Sequence, residues 1–133
     1  MVSLGEGKEW SDFSIGVTQD EYQNLEETIA RQINYNGWFT KQNVQQSLLA
    51  LGLQLTEDKL RHWTSRYTFS ENPKAVALIM AGNIPLVGFH DFLSIIITGH
   101  KALVKTSSND QHLIKFLANY LIAVDASIAT SIE

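Results

Sequence analysis

Apolar positions recur at helical spacing through the first half of the chain. Tyr22, Leu25, Ile29 and Ile33 make one stripe at steps of three and four residues, as in an amphipathic helix. Thr18 followed by Glu21 predicts its start as a capping box: the hydroxyl accepts from the backbone N–H three residues on, and the carboxylate reaches back. Asn36-Gly37 is its stop. A second helix opens at Thr40, with Phe39 placed to staple against Val44. Its residues Val44, Leu48 and Leu51 face one way, and Gly52 supplies a left-handed end. Leu55-Thr56 repeats the device, Leu55 stapling Leu60, and Leu60, Trp63 and Tyr67 form the expected buried face of a third helix. Packing for stability accounts for all of these features.

The texture then changes. Residues 75–81 are a continuous apolar run without alternation, which predicts a parallel strand covered on both faces. Gly82-Asn83-Ile84-Pro85 breaks the run. Helical spacing returns at Phe89, Phe92, Leu93 and Ile96 and ends at Gly99. Residues 101–105 are a second strand, after which Ser107 and Ser108 are candidate caps for a helix carrying Leu113, Phe116, Leu117, Tyr120, Leu121 and Val124. Strand, helix, strand, helix is the order of a βαβ unit, whose crossover is right-handed and whose ligands lie beyond the carboxyl ends of the strands. Asn83 and Lys105 each stand just past such an end. The chain thus divides into a helical region over residues 1–71 and the start of an α/β domain over residues 72–133, with the boundary at 70–74. Two parallel strands make a poor sheet by themselves. Glu133 therefore reads as a cut point, and an exposed strand edge there would favour a homo-oligomer.

Composition narrows the function. Net charge is −4, and all of the acidic excess lies before Pro73, with 10 acids and 6 bases before it against 4 and 4 after it. A chain with no Lys/Arg cluster lacks the basic footprint of a nucleic-acid binder. No stretch free of charged and turn residues, residues 92–98 included, approaches the roughly 20 residues a membrane span needs. The polar start at residues 1–8 does not read as a secretory signal, so a cytoplasmic location is expected. There is no cysteine, which excludes a disulfide framework, Cys-based metal sites and a thiol nucleophile within these 133 residues. The common glycine-rich nucleotide loops and closely spaced His pairs are absent too. His62 and His112 lie on amphipathic helices, while His90 and His100 flank the crossover helix. His62 and His112 are expected at surface or boundary positions and His90 and His100 in structural roles, with no metal site.

One block carries more specific information: Asn72-Pro-Lys-Ala-Val-Ala-Leu-Ile-Met-Ala-Gly-Asn-Ile-Pro-Leu-Val-Gly-Phe-His-Asp-Phe-Leu, continuing at Thr98-Gly-His-Lys-Ala-Leu-Val-Lys-Thr-Ser-Ser. It resembles the acyl-CoA reductase (LuxC-like) family, related to the fatty-acid reductase of bacterial luminescence. More distantly it is similar to the start of the cofactor domain of aldehyde dehydrogenases, where one strand runs into Trp-Asn-Phe-Pro and the next ends in Lys-Pro-Ser-Glu. Trp38-Phe39-Thr40 and the helices after it belong to the resemblance to the reductases. The implied fold is α/β, a helical N-terminal region followed by the first βαβα of an aldehyde-dehydrogenase-like Rossmann domain, incomplete here. The implied activity is NADPH-dependent reduction of an acyl-CoA thioester to an aldehyde through a cysteine acyl-enzyme.

The resemblance also implies roles. Asn83 matches the family's turn asparagine, which donates to the acyl carbonyl oxygen. Lys105 matches the strand-end lysine that binds the adenosine ribose of the cofactor. Ser108 stands where dehydrogenases that prefer NAD often place a glutamate. Without that carboxylate a 2′-phosphate is not repelled, which favours NADPH. Ser107 and Ser108 are also expected to open a helix, where backbone N–H groups favour anions. Each residue has a plainer alternative: Asn83 as a turn cap before Pro85, Lys105 as a solvated strand end, and the serines as helix caps. Gly82 replaces the tryptophan of the dehydrogenase pattern. The nucleophile lies outside this sequence, so the chain alone is expected to be inactive. Two competing readings are a non-catalytic binding or scaffolding module, docking through its helical half, and a stand-alone nucleotide-binding domain.

Overall fold

The helices that begin at Gln19 and Lys41 start on local capping chemistry, whereas the buried faces are set by what packs on them. The computed structural model describes residues 1–10, 18–69 and 71–133. The first half contains α1 (Val2–Gly5), α2 (Gln19–Arg31), α3 (Lys41–Gln54) and α4 (Glu57–Thr64). The capping box forms as expected: Glu21 N–H donates to Thr18 Oγ1 at 3.3 Å, and Thr18 N–H donates to Glu21 Oε2 at 2.8 Å. Those Thr18 bonds, backbone before side chain, hold the Glu21 carboxyl below its ordinary pKa. At Arg31 the helix tightens into a 3₁₀ turn, Gln32–Asn34. This change of pitch buries Gln32 and exposes Ile33, so Ile33 leaves the expected stripe. Thr40 caps α3 by accepting from Asn43 N–H at 3.2 Å.

Two expectations for this half are corrected. Gly52 does not end α3, which runs through it to Gln54. A Cβ on Gly52 would lie 2.8 Å from Val2 Cγ2, and one on Gly5 would lie 2.4 Å from the Leu49 backbone nitrogen. These two glycines let α1, which the apolar pattern does not announce, lie directly on α3. The second correction concerns α4, which buries none of its residues. Leu60 and Trp63 are half-buried and Tyr67 is exposed, because α4 meets only the flank of the core. Thr56 makes no side-chain capping bond.

The second half contains β1 (Ala75–Ile79), α5 (Phe89–Ile97), β2 (Lys101–Lys105) and α6 (Gln111–Val124). The strands pair in parallel, with Ala75 opposite Lys101 and Ile79 opposite Lys105. Gly99, at φ +80°, takes the chain out of α5 in the left-handed conformation that favours glycine. The apolar run is not covered on both faces. Val76, Leu78, Ala102 and Val104 share one face, and Leu78, Ala102 and Val104 pack with Phe92, Leu93 and Ile96. Ala75, Ala77 and Ile79 face away, Ile79 being 77% exposed, since no described element lies over them. On the far side of β2, Ile132 bridges Ala102 in parallel, and Glu133 N–H donates to Ala102 O at 2.9 Å. β2 is therefore flanked on both sides and β1 keeps an open edge among the described residues.

The core crosses the expected boundary. Leu25, Phe39, Val44 and Leu48 from the helical half and Phe92, Ala102, Leu113 and Leu117 from the α/β half belong to one buried cluster. Ser70, part of that boundary, lies outside the described residues. No described helix is long and apolar enough to cross a membrane.

Candidate functional site

Parallel strands end at the same edge of a sheet, so the turns after β1 and β2 are delivered side by side. Met80 N–H donates to Lys105 O at 3.0 Å, which carries the pairing one residue past β1. Immediately beyond, the two turns touch. A Cβ on Gly82 would lie 2.1 Å from Ser107 Oγ and 2.5 Å from Ser107 Cβ. Nothing larger than glycine fits there while Ser107 keeps its place. Gly82 O is also held from the helical half: Asn36 Nδ2 donates to it at 3.2 Å. Asn36 Oδ1 accepts from Trp38 N–H at 3.0 Å, and Asn43 Nδ2 donates to Trp38 O at 2.7 Å.

The result is an open cleft of about 640 Å³ lined by Asn36, Trp38, Gly82, Asn83, Ser107 and Asn109. A second, of about 390 Å³, lies between α3 and the turn, again walled by Trp38 and Asn83. Asn83 is exposed, and its amide bonds to no described residue. The Trp38 indole stands beside it, 78% exposed. Of the residues singled out from sequence, Asn83 and Ser107 are brought together; Lys105 and Ser108 are exposed and do not line this cleft.

The serines do not open α6. Asp110 N–H donates to Ser107 O at 3.2 Å and Asn109 N–H to Ser107 Oγ at 3.3 Å, so a turn intervenes and the helix starts at Gln111. The expected anion site formed by these two residues at a helix N-terminus is therefore not built.

Asp110 occupies the cap position of α6 but makes no capping bond. It is 2% exposed, and its Oδ2 accepts from Leu86 N–H at 2.7 Å. Burial raises its carboxyl pKa to about 7, opposed by the Leu86 bond. Oδ1 has no partner among the described residues. Leu86, itself 2% exposed, has φ 62° in the turn closed by Val87 N–H to Ile84 O. A non-glycine residue pays about 1–2 kcal/mol for that left-handed geometry. Core burial of its side chain and the bond to Asp110 offset the cost.

Each histidine touches a neighbouring side chain or backbone group. His100 Nδ1 accepts from Lys74 N–H at 3.3 Å. The rings of His90 and His112 lie against Trp63 and Tyr35, with centroids 5.4 and 4.2 Å apart, and His62 sits 3.0 Å from Arg66 Nη2. No group of His, Asp and Glu among the described residues is arranged to hold a metal. Sequence reasoning missed Asn36, Trp38 and Asp110 as parts of the site. Asn36 was legible only as a helix stop and Trp38 only within the resemblance, while nothing in the sequence marked Asp110.

The model of the acyl-CoA reductase (LuxC) family matches residues 6–133. This chain belongs to that family. No curated protein and no solved structure matches it. Every residue lining the cleft of this reductase chain, together with Leu86 and Asp110, falls inside the matched span.

Proposed function

We propose that the cleft at Asn83 is the acyl end of an NADPH-dependent acyl-CoA reductase, which converts an acyl-CoA thioester to an aldehyde through a cysteine acyl-enzyme. The observation that carries this reading is the Asn83 amide, unbonded at the wall of a cleft beyond a parallel strand, in a chain of this family. The sequence has no cysteine, so the thiolate comes from outside these 133 residues. When it attacks the thioester carbon, the carbonyl oxygen gains negative charge before the CoA thiolate departs. Asn83 Nδ2–H is the donor to that oxygen. A preorganised donor in a water-poor site is worth several kcal/mol, roughly 10² in turnover.

The residues present fit NADPH. Lys105 is exposed at the carboxyl end of β2 and enters no ion pair among the described residues. Residues 105–109 contain no acid, and the acid that follows, Asp110, is buried and turned to Leu86. Lys105 would meet the ribose, and Ser107 and Ser108 would leave a 2′-phosphate unopposed. The cofactor, when bound, supplies the hydride that reduces the acyl carbon. The test is Asn83→Ala in the full-length enzyme: turnover is expected to fall about 10²-fold with little change in KM for acyl-CoA. Unchanged turnover would remove the role.

A further inference from the structure

A carboxylate at a helix cap ordinarily turns to the N–H groups of its own first turn. Asp110 does not; its Oδ2 crosses to Leu86 N–H at 2.7 Å, on the turn after the other strand. As a stabilising device this is a poor choice. Burying a carboxyl whose second oxygen has no partner is costly, and α6 forgoes its cap. What the arrangement does achieve is geometric. Leu86 is held at φ 62°, which a leucine does not keep unaided. The other end of the loop is held by Met80 N–H on Lys105 O, and Gly82 by Asn36 and the close approach of Ser107. Asn83 lies between these anchors and makes no side-chain bond of its own to a described residue. With no side-chain bond to hold it, Asn83 is placed at the cleft by the backbone that carries it.

We propose that Asp110 is a positioning residue for the reduction: by fixing Leu86 it aims the Asn83 amide into the cleft. The inference rests on the reading of Asn83 given above. Its test is a double-mutant cycle in the full-length enzyme. Asp110→Ser can cap α6 itself but is too short to hold Leu86 N–H. The expected result is a loss of about tenfold in kcat, with KM for acyl-CoA and NADPH changed by less than about twofold. In the Asn83→Ala background the same change should cost less than about twofold, because the group it aims is gone. Asp110→Asn, which keeps an acceptor for Leu86, should retain turnover within about threefold of wild type.

Wild-type turnover in D110S, or the same tenfold loss with and without Asn83, overturns the positioning role. Wild-type turnover in N83A overturns the Asn83 reading and this inference with it, so the two failures are distinguishable. If D110S is not recovered folded, D110N decides alone, and a loss of more than threefold overturns the proposal.

Discussion

Residues 55–69 and residues 80–88 are both short connecting regions, held in opposite ways. The first is held mostly by local bonds, with Leu55 at the edge of the core and Trp63 against the His90 ring. α4 has acids in its first turn, Arg61 and His62 in its last, and an ion pair between Glu57 and Arg61, yet none of its residues is buried. The second has no regular structure and is held from elsewhere. Met80, Pro85, Leu86 and Gly88 are buried, Gly82 touches the neighbouring turn, and bonds arrive from Asn36 and Asp110. Local signals are enough to specify an element, but not to make it matter to the core. The candidate site lies where distant segments converge, so its residues stand in conformations that their neighbours in sequence would not select.

The largest effect should come from breaking the convergent region at its tightest point. Gly82→Ala places a methyl against Ser107 Cβ, which is fixed to backbone and cannot rotate away. A cost of about 3 kcal/mol is expected from denaturant unfolding, at the upper end for overpacking. A loss below about 0.5 kcal/mol would mean that the two turns separate freely.

Next in size is a pH effect that only the convergent region can show. Folded, the Asp110 carboxyl is raised to about 7 by burial; unfolded, it returns toward 3.8. Between those values the folded chain keeps a proton that the unfolded chain has released, so stability should fall as pH rises through the window. Glu21, Asp125 and Glu133 have lowered values and act with the opposite sign, at pH below the ordinary carboxylate range. From pH 5 to 7 the Asp110 contribution should be about 2 kcal/mol, read as the difference between wild type and Asp110→Asn in urea unfolding. Parallel pH curves for the two proteins would show a carboxyl that is hydrated in the folded state.

The same contrast explains what could be read from the sequence. The capping box at Thr18, the cap at Thr40, the stop at Gly99 and the limits of β2 were all legible, because each depends on residues within a few positions of one another. Gly52 was misread as a stop because the chain that crosses it is α1, some fifty residues earlier. The stripe of Leu60, Trp63 and Tyr67 has the right period, but periodicity says which residues share a face and not whether anything covers it. The same limit applies to residues 75–79, where apolar content promised two covered faces and only one is packed. In the site, Asn83 and Ser107 were legible through a motif. Asp110 and Leu86 were not, since the positive φ at Leu86 accompanies a bond from a residue 24 positions away.

The smallest effect belongs to the locally held region. Arg61 Nη2 and Glu57 Oε1 are 2.7 Å apart, but the two side chains are 77% and 75% exposed. Water solvates both ions nearly as well apart as together, and ordering two long side chains costs entropy. A pair of this kind at i,i+4 is worth about 0.3–0.5 kcal/mol. Glu57→Ala also removes one acid from the favourable first turn, a contribution that salt screens in the same way. The expected loss in denaturant unfolding is therefore about 0.5 kcal/mol at low salt, shrinking toward zero near 1 M, where screening acts over about 3 Å. A larger, salt-independent loss would mean that α4 is held by burial after all, and the contrast between the two regions would fail.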